Sequence, residues 1–147
     1  MLRVAPLPTL HQRVPHTDSY ILLVDDHEPS LRQLVELVRL SGHRCIATRS
    51  GTEALLCCDR SRPRVVVTDF SMPNLDGRGL ARWLQARHPS VPIILLTGQA
   101  FDDRSLHQLQ RIFTAILTKP VDIEQLLGLL ERLMPAGPNR VLDTRRP

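Results

Sequence analysis

The residues best equipped for chemistry stand where apolar runs stop. Tyr20-Ile21-Leu22-Leu23-Val24 closes on Asp25-Asp26, and Val65-Val66-Val67-Thr68 closes on Asp69. Ile93-Ile94-Leu95-Leu96 ends at Thr97-Gly98, and Ala115-Ile116-Leu117-Thr118 at Lys119-Pro120. Three carboxylates gathered within a few ångströms repel by roughly 4 kcal/mol per pair at an effective dielectric of about 20. They persist together only by taking up protons or by holding a cation, and an all-oxygen set with room for water suits Mg²⁺. A hard divalent cation beside a free carboxylate and an ammonium is equipment for phosphoryl transfer. The cations neutralise charge on the phosphoryl oxygens while a carboxylate attacks. Lys119 is the sole lysine beside eighteen arginines. A compact ammonium enters a crowded pocket as a point charge where a planar guanidinium does not.

These residues share a pocket only if the runs are strands of one sheet. Each run is followed by an amphipathic stretch. Pro29 opens a helix with Leu31, Leu34, Val35 and Val38 on one face, and Gly42 stops it. A weaker strand over 44–48 leads to a short helix over 52–59. The segment 71–77 turns into a helix carrying Leu80, Trp83 and Leu84, with Asp76 as its cap. A polar helix over 103–113 follows the fourth strand, with Leu106, Leu109 and Phe113 as its apolar positions. The last helix starts at Asp122, with Gln125 three residues on as in a capping box, and Ile123, Leu126, Leu127 and Leu130 form its stripe. Strands written as continuous Val/Ile/Leu runs are covered on both faces. The expected fold is therefore α/β: a doubly wound five-stranded parallel sheet in the flavodoxin-like order 2-1-3-4-5, with helices on both faces. In such a sheet ligands sit beyond the carboxyl ends of the strands, where the order reverses.

Composition narrows the rest. The 147 residues suit one domain, and six of the twelve prolines lie near the ends. The expected organisation is a flexible tail over 1–18, one domain over 19–134 and a second flexible tail over 135–147. Of the net charge of +4, the tails hold most, and aromatic residues make up only 3%. A basic stripe and stacking platforms are both missing from the sequence pattern, so direct nucleic-acid binding is not expected. Cys45, Cys57 and Cys58 are an odd set without C-x-x-C spacing, which reads as small buried hydrophobes in a reducing, cytoplasmic setting. No apolar run approaches the roughly 18 residues needed to cross a bilayer, so no membrane partner is expected. Asp25-Asp26 as a plain helix cap, and His27 as a solvated residue at a helix start, are the ordinary alternatives for those positions.

The motifs Leu22-Leu23-Val24-Asp25-Asp26, Val67-Thr68-Asp69-Phe70-Ser71-Met72-Pro73-Asn74-Leu75-Asp76-Gly77, Leu96-Thr97-Gly98 and Leu117-Thr118-Lys119-Pro120 resemble the receiver domain of two-component response regulators. The resemblance spans about residues 19–134. It implies that Asp69 is the phosphoacceptor, that Asp26 binds Mg²⁺ directly and Asp25 through water, and that the Ser71 backbone carbonyl completes the protein ligands. It further implies that Thr97 and Lys119 engage phosphoryl oxygens, that Gly98 keeps the site open to a donor, and that Pro120 follows a cis peptide bond. The donor would be a sensor histidine kinase or a histidine phosphotransfer protein. The output would be a downstream protein bound at the helix 4–strand 5–helix 5 face, by a monomer or a phosphorylation-linked dimer.

The chain departs from this pattern at Ile116, where receivers carry the aromatic switch residue, and at Ile112-Phe113, where a Gly-Ala pair is usual. Ile116 supports an alternative, an interaction module on the receiver fold that signals without phosphorylation. Enzymes on similar sheets fit poorly. An aspartate-nucleophile phosphatase calls for a second acid where Ser71 stands, and Asp25-Asp26-His27-Glu28 would repel a flavin phosphate. The domain is thus expected to catalyse only its own aspartyl phosphorylation and dephosphorylation.

Overall fold

A computed structural model describes residues 19–134, so the two expected tails lie outside the described residues. Strands and helices alternate: β1 (Ile21–Val24), α1 (Glu28–Leu40), β2 (Cys45–Thr48), α2 (Gly51–Arg60), β3 (Val65–Asp69), α3 (Gly77–Arg87), β4 (Ile93–Thr97), α4 (Asp103–Gln110), β5 (Ala115–Thr118) and α5 (Ile123–Leu133). The five strands are all parallel, in the order β2-β1-β3-β4-β5. This is the expected doubly wound sheet.

Strand parity divides the interior into two cores. Leu22, Val24, Val66, Ile93 and Leu95 point to one face, where they meet Ala54, Cys58, Leu80, Leu84, Leu109 and Phe113. Ile21, Leu23, Val67, Ile94 and Leu96 point to the other, against Leu31, Leu34, Val38, Leu126 and Leu130. Burying a side chain of this size stabilises the fold by about 1.5–3 kcal/mol each. Continuous apolar runs on β1, β3 and β4 are therefore what a sheet covered on both sides requires. The edges are more open. β2 pairs with β1 alone and exposes Ile46 and Ala47, while Ala115 and Ile116 on β5 are only half-buried.

The helices start on polar caps at the carboxyl end of the sheet. Ser50, Asp76, Asp102 and Asp122 each accept a backbone N–H bond at helical position N3, from Glu53, Gly79, Ser105 and Gln125. For α1 the cap is His27, whose Nδ1 accepts from the Ser30 N–H at 3.3 Å. His27 is exposed, as expected at a helix start, and the acidic pair before it is released from capping. Gly42 takes a left-handed φ of 84° as the chain leaves α1, a conformation glycine adopts without a Cβ penalty.

Three expectations need correction. The fourth helix ends at Gln110, not 113, because Ile112 and Phe113 both donate to the Leu109 carbonyl in a tightened turn. That turn drives Phe113 into the core and lets Thr114 bond the Ile93 carbonyl to start β5. Ile123 is 54% exposed rather than buried, since an open cleft of about 530 Å³ separates it from Leu34 and Leu37 of α1. Of the cysteines only Cys58 is buried, and Cys45 and Cys57 are half-exposed. Burial pushes the Cys58 thiol up to about 11, with the neighbouring Cys57 adding to the rise, so it stays protonated and unreactive.

Gly128 lies on the exposed side of α5, and a Cβ built there meets nothing within 4 Å. Gly128→Ala is expected to stabilise the domain by about 1 kcal/mol. The check is the urea midpoint at unchanged slope; an unshifted midpoint would contradict it.

Candidate functional site

Adjacent pairing of β1 and β3 dictates the centre of the site. Val24 is in register with Thr68, so the next residues along, Asp25 and Asp69, emerge side by side where the strand order reverses. Asp26 turns in beside them. One carboxylate oxygen from each of Asp25, Asp26 and Asp69 lies within 4.8 Å of the others. Asp25 is buried at 1% exposure, Asp69 is partly buried, and Asp26 is the more open to solvent. The Asp25 Oδ1 accepts the His27 N–H at 2.9 Å, which holds the acidic pair against the start of α1.

Lys119 reaches this cluster from the end of β5. Its Nζ lies 2.9 Å from Asp69 Oδ1 and 3.5 Å from Asp25 Oδ2. The Lys119 N–H donates to the Thr97 carbonyl at 2.8 Å, which ties the lysine backbone to the end of β4, and the Lys119-Pro120 bond is cis as expected. Thr97 is buried, and its Oγ accepts the Gln99 N–H at 3.0 Å. A Cβ added at Gly98 would meet only the Lys119 Cβ, at 3.9 Å, so the approach over this residue is open. Ser71 stands two residues beyond Asp69, exposed, in the loop leaving β3.

That loop is tightly folded. Asn74 adopts a left-handed φ of 67°, Asp76 caps α3, and the Gly77 N–H bonds the Phe70 carbonyl at 2.9 Å. A Cβ at Gly77 would collide with the Asp69 carbonyl oxygen. Only glycine lets α3 begin so close to the end of β3.

The electrostatics follow from burial and pairing. Burial pushes the Asp69 carboxyl above the usual carboxylate range; the Lys119 ammonium opposes the rise and the Asp25 charge adds to it. For Lys119 burial acts downward, but the Asp69 and Asp25 carboxylates outweigh it and hold the ammonium above its ordinary value. The pocket thus keeps a fixed cation against an excess of negative charge. Three carboxylates and one ammonium leave room for further positive charge, and the all-oxygen donor set fits a hard cation such as Mg²⁺.

Of the residues singled out from the sequence, Asp25, Asp26, Asp69 and Lys119 converge directly, and Thr97 joins them through the Lys119 backbone. Ile116 sits apart, half-buried among the core residues between β5 and α4. Sequence reasoning missed the ring pair formed by Phe70, next to Asp69, and Phe101, in the β4–α4 loop. Their centroids are 5.1 Å apart in an edge-on arrangement. The scarcity of aromatics was itself the available signal, since two of only three phenylalanines flank the site.

The fold and site define a class: a doubly wound α/β domain with an acidic trio and a lysine at its switch point. A family model described as "Response regulator receiver domain" matches residues 21–131. The chain belongs to the receiver-domain family of two-component response regulators. It is 32% identical over 133 residues to Sensor protein TorS of Escherichia coli, covering 88% of this chain and 15% of that protein. It is 31% identical over 113 residues to the DNA-binding transcriptional regulator NtrC of Salmonella typhimurium, covering 76% and 24%. The chain therefore spans a quarter or less of the length of these two relatives. Among solved structures, a response regulator receiver domain protein from Clostridium thermocellum superposes with a TM-score of 0.72 at 26% identity, covering 78% of this chain and 93% of that one. The receiver domain of an HD domain-containing protein from Pseudomonas fluorescens gives 0.72 at 28% identity, with the same coverage.

A carboxyl whose folded pKa lies above its unfolded one contributes stability below the unfolded value and loses it as pH climbs through the folded value. In metal-free protein, Asp69→Asn should raise the thermal midpoint at pH 7, and the gain should shrink as pH falls through the raised folded value of Asp69 and be gone below the unfolded value of about 4. Paired melting curves across that range test this; a variant no more stable than wild type at pH 7 counts against it.

Proposed function

We propose that Asp69 accepts a phosphoryl group from a phosphohistidine, presented by a sensor histidine kinase or a histidine phosphotransfer protein, and that the domain acts as a signalling switch. The single observation that carries this reading is the Lys119 ammonium 2.9 Å from Asp69 inside a trio of carboxylates. Asp25, Asp26, Asp69 and the Ser71 backbone carbonyl would hold Mg²⁺, which when bound supplies charge neutralisation at the phosphoryl oxygens.

The chain's own residues do the rest. An Asp69 carboxylate oxygen attacks phosphorus, the P–N bond to the donor imidazole breaks, and the imidazole leaves with the electron pair. Lys119 moves from its carboxylate partners to a phosphoryl oxygen, and the Thr97 hydroxyl donates to another while still accepting from Gln99. The open flank at Gly98 admits the donor, and the cleft beside Asp25 and Lys119 gives its surface a place to rest. No substrate is turned over: the domain catalyses only its own phosphorylation and dephosphorylation. The acyl phosphate then biases the face formed by α4, β5 and α5 toward a downstream protein. This reading needs no direct nucleic-acid contact, suits a cytoplasmic setting, and works for a monomer or a phosphorylation-linked dimer.

Incubation with acetyl phosphate and Mg²⁺ is expected to add the mass of one phosphoryl group, and to add none with chelator or in Asp69→Ala. Labelling that survives Asp69→Ala would remove the assignment. Lys119→Arg is expected to label at least about tenfold more slowly, because a guanidinium does not replace the ammonium as a compact charge.

Ile116 favours a second reading, an interaction module whose partner binds regardless of phosphorylation. Equal partner affinity for Asp69→Ala and phosphorylated wild type would decide for it. Affinity that rises on phosphorylation decides for the switch.

A further inference from the structure

Charge is sorted along the strand direction. All five strands run parallel and each helix runs back, so strands begin and helices end at the pole opposite the acidic trio. The last helical turns there carry Arg39, Arg60, Arg87 and Arg132. The adjoining turns add Arg44, Arg62, Arg64 and Arg111, and all eight residues are exposed. Among the described residues, the carboxylates in these last turns and connections are Asp59 and Glu131 alone.

Basic residues at helix ends ordinarily offset the macrodipole. Each helix end contributes about −0.5 of a charge, so five ends cancel less than half of this arginine excess. Arg87 lies over the Trp83 ring and Arg132 donates to the Gly128 carbonyl. Backbone bonds fix the spacing of two others. Arg44 and Arg64 flank β1, the Arg44 carbonyl accepting from Ile21 and the Arg64 N–H donating to Tyr20. The described chain also begins and ends at this pole, with Ser19 before β1 and Met134 after α5.

The chemistry of the pole selects its partner. Helix ends present carbonyls, not N–H groups, so the helices offer no N-terminal cradle for a single phosphate there, and the attraction of the arginines is spread over a face. Within it, Leu40 at the end of α1 projects at 81% exposure between Arg39 and the turn to Arg44. Nucleic-acid recognition would want a helix flank or strand to enter a groove, or exposed aromatics for stacking. This pole offers helix ends and turns; its tyrosine, Tyr20, is buried, and the half-buried Trp83 ring is already engaged by Arg87 and His88. A diffuse positive face with one protruding aliphatic side chain matches an anionic bilayer surface.

We propose that this basic pole adsorbs to an anionic phospholipid surface, holding the acidic pole outward toward solvent. Such adsorption needs no spanning helix, and among the described residues no helix is long and apolar enough to cross a membrane. It revises the expectation of no membrane partner, and it stands independently of the phosphoryl-transfer reading.

The test is co-sedimentation of the full chain with phosphatidylcholine vesicles and with phosphatidylcholine–phosphatidylglycerol vesicles. Binding is expected to the mixed vesicles only, and to weaken as salt shortens the Debye length from about 10 Å at 0.1 M to about 3 Å at 1 M. The triple variant Arg39→Glu, Arg62→Glu, Arg64→Glu should partition about a hundredfold less or weaker still, and Leu40→Ser several-fold less, with wild-type circular dichroism. Absence of wild-type binding to mixed vesicles overturns the proposal. Unchanged binding by the triple variant does so as well, since residues outside the pole would then carry it. Tighter binding to a random-sequence DNA duplex than to the vesicles would overturn it too.

Discussion

The organising constraint of this domain is mutual repulsion between carboxylates that the sheet forces together. β1 and β3 must pair in register to bury Leu22, Leu23, Val66 and Val67, and that same register delivers Asp25 and Asp69 side by side beyond the last paired residues. Burial raises the cost of ionising Asp69, and Asp25 raises it further. Lys119 is the structural answer, placed within reach of both acids by the end of β5 and by its backbone bond to Thr97. One ammonium does not balance three carboxylates. The surplus negative charge is what gives the pocket an appetite for a divalent cation, and what a phosphoryl group would have to be shielded from.

Much of the surrounding geometry serves to keep those charges in place. His27 takes over the capping of α1, so Asp25 can turn its oxygens to the cluster and to the His27 N–H instead of to the helix. Gly77 and the left-handed Asn74 let the β3–α3 loop double back against the Asp69 carbonyl. The five helices begin at this end of the sheet, and the positive ends of their dipoles face the acidic pole. Part of that benefit is consumed by Asp76, Asp102 and Asp122, which cap helices there. The fixed lysine therefore remains the principal local counter-charge.

How much of this was legible follows from which interactions are local in sequence. Runs such as Val65–Thr68 and Ile93–Leu96 announce buried strands, and their terminal residues name the site, because strand ends and strand order are both written in the pattern. The N-caps Asp76 and Asp122 were legible for the same reason. Edge exposure was not: Ile46 and Ile123 look like core residues until the neighbours that fail to cover them are known. The early end of α4 depends on Phe113 finding the core and Thr114 finding β4. The Phe70–Phe101 contact joins two loops thirty-one positions apart. The charge poles were invisible because the middle of the chain is nearly neutral in total. Only the alternation of strand and helix direction turns that near-neutrality into two opposed faces.

The departure at Ile116 bears on how a change at Asp69 travels. Ile116 is half-buried against the core and offers no hydroxyl or ring to exchange between inside and outside positions. Another contiguous route leads from the site. Phe70 follows Asp69 directly, its ring meets Phe101, and Phe101 precedes the Asp102 cap of α4. Thr97 reaches the same loop through its hydroxyl bond to the Gln99 N–H. The ends of β3 and β4 thus both connect to the β4–α4 loop, one by an aromatic contact and one by a hydrogen bond. Packed contacts of this kind respond in discrete steps rather than by gradual deformation. A charge rearrangement at Asp69 therefore has a path to α4 that does not pass through position 116, and the aliphatic residue there is compatible with a working switch.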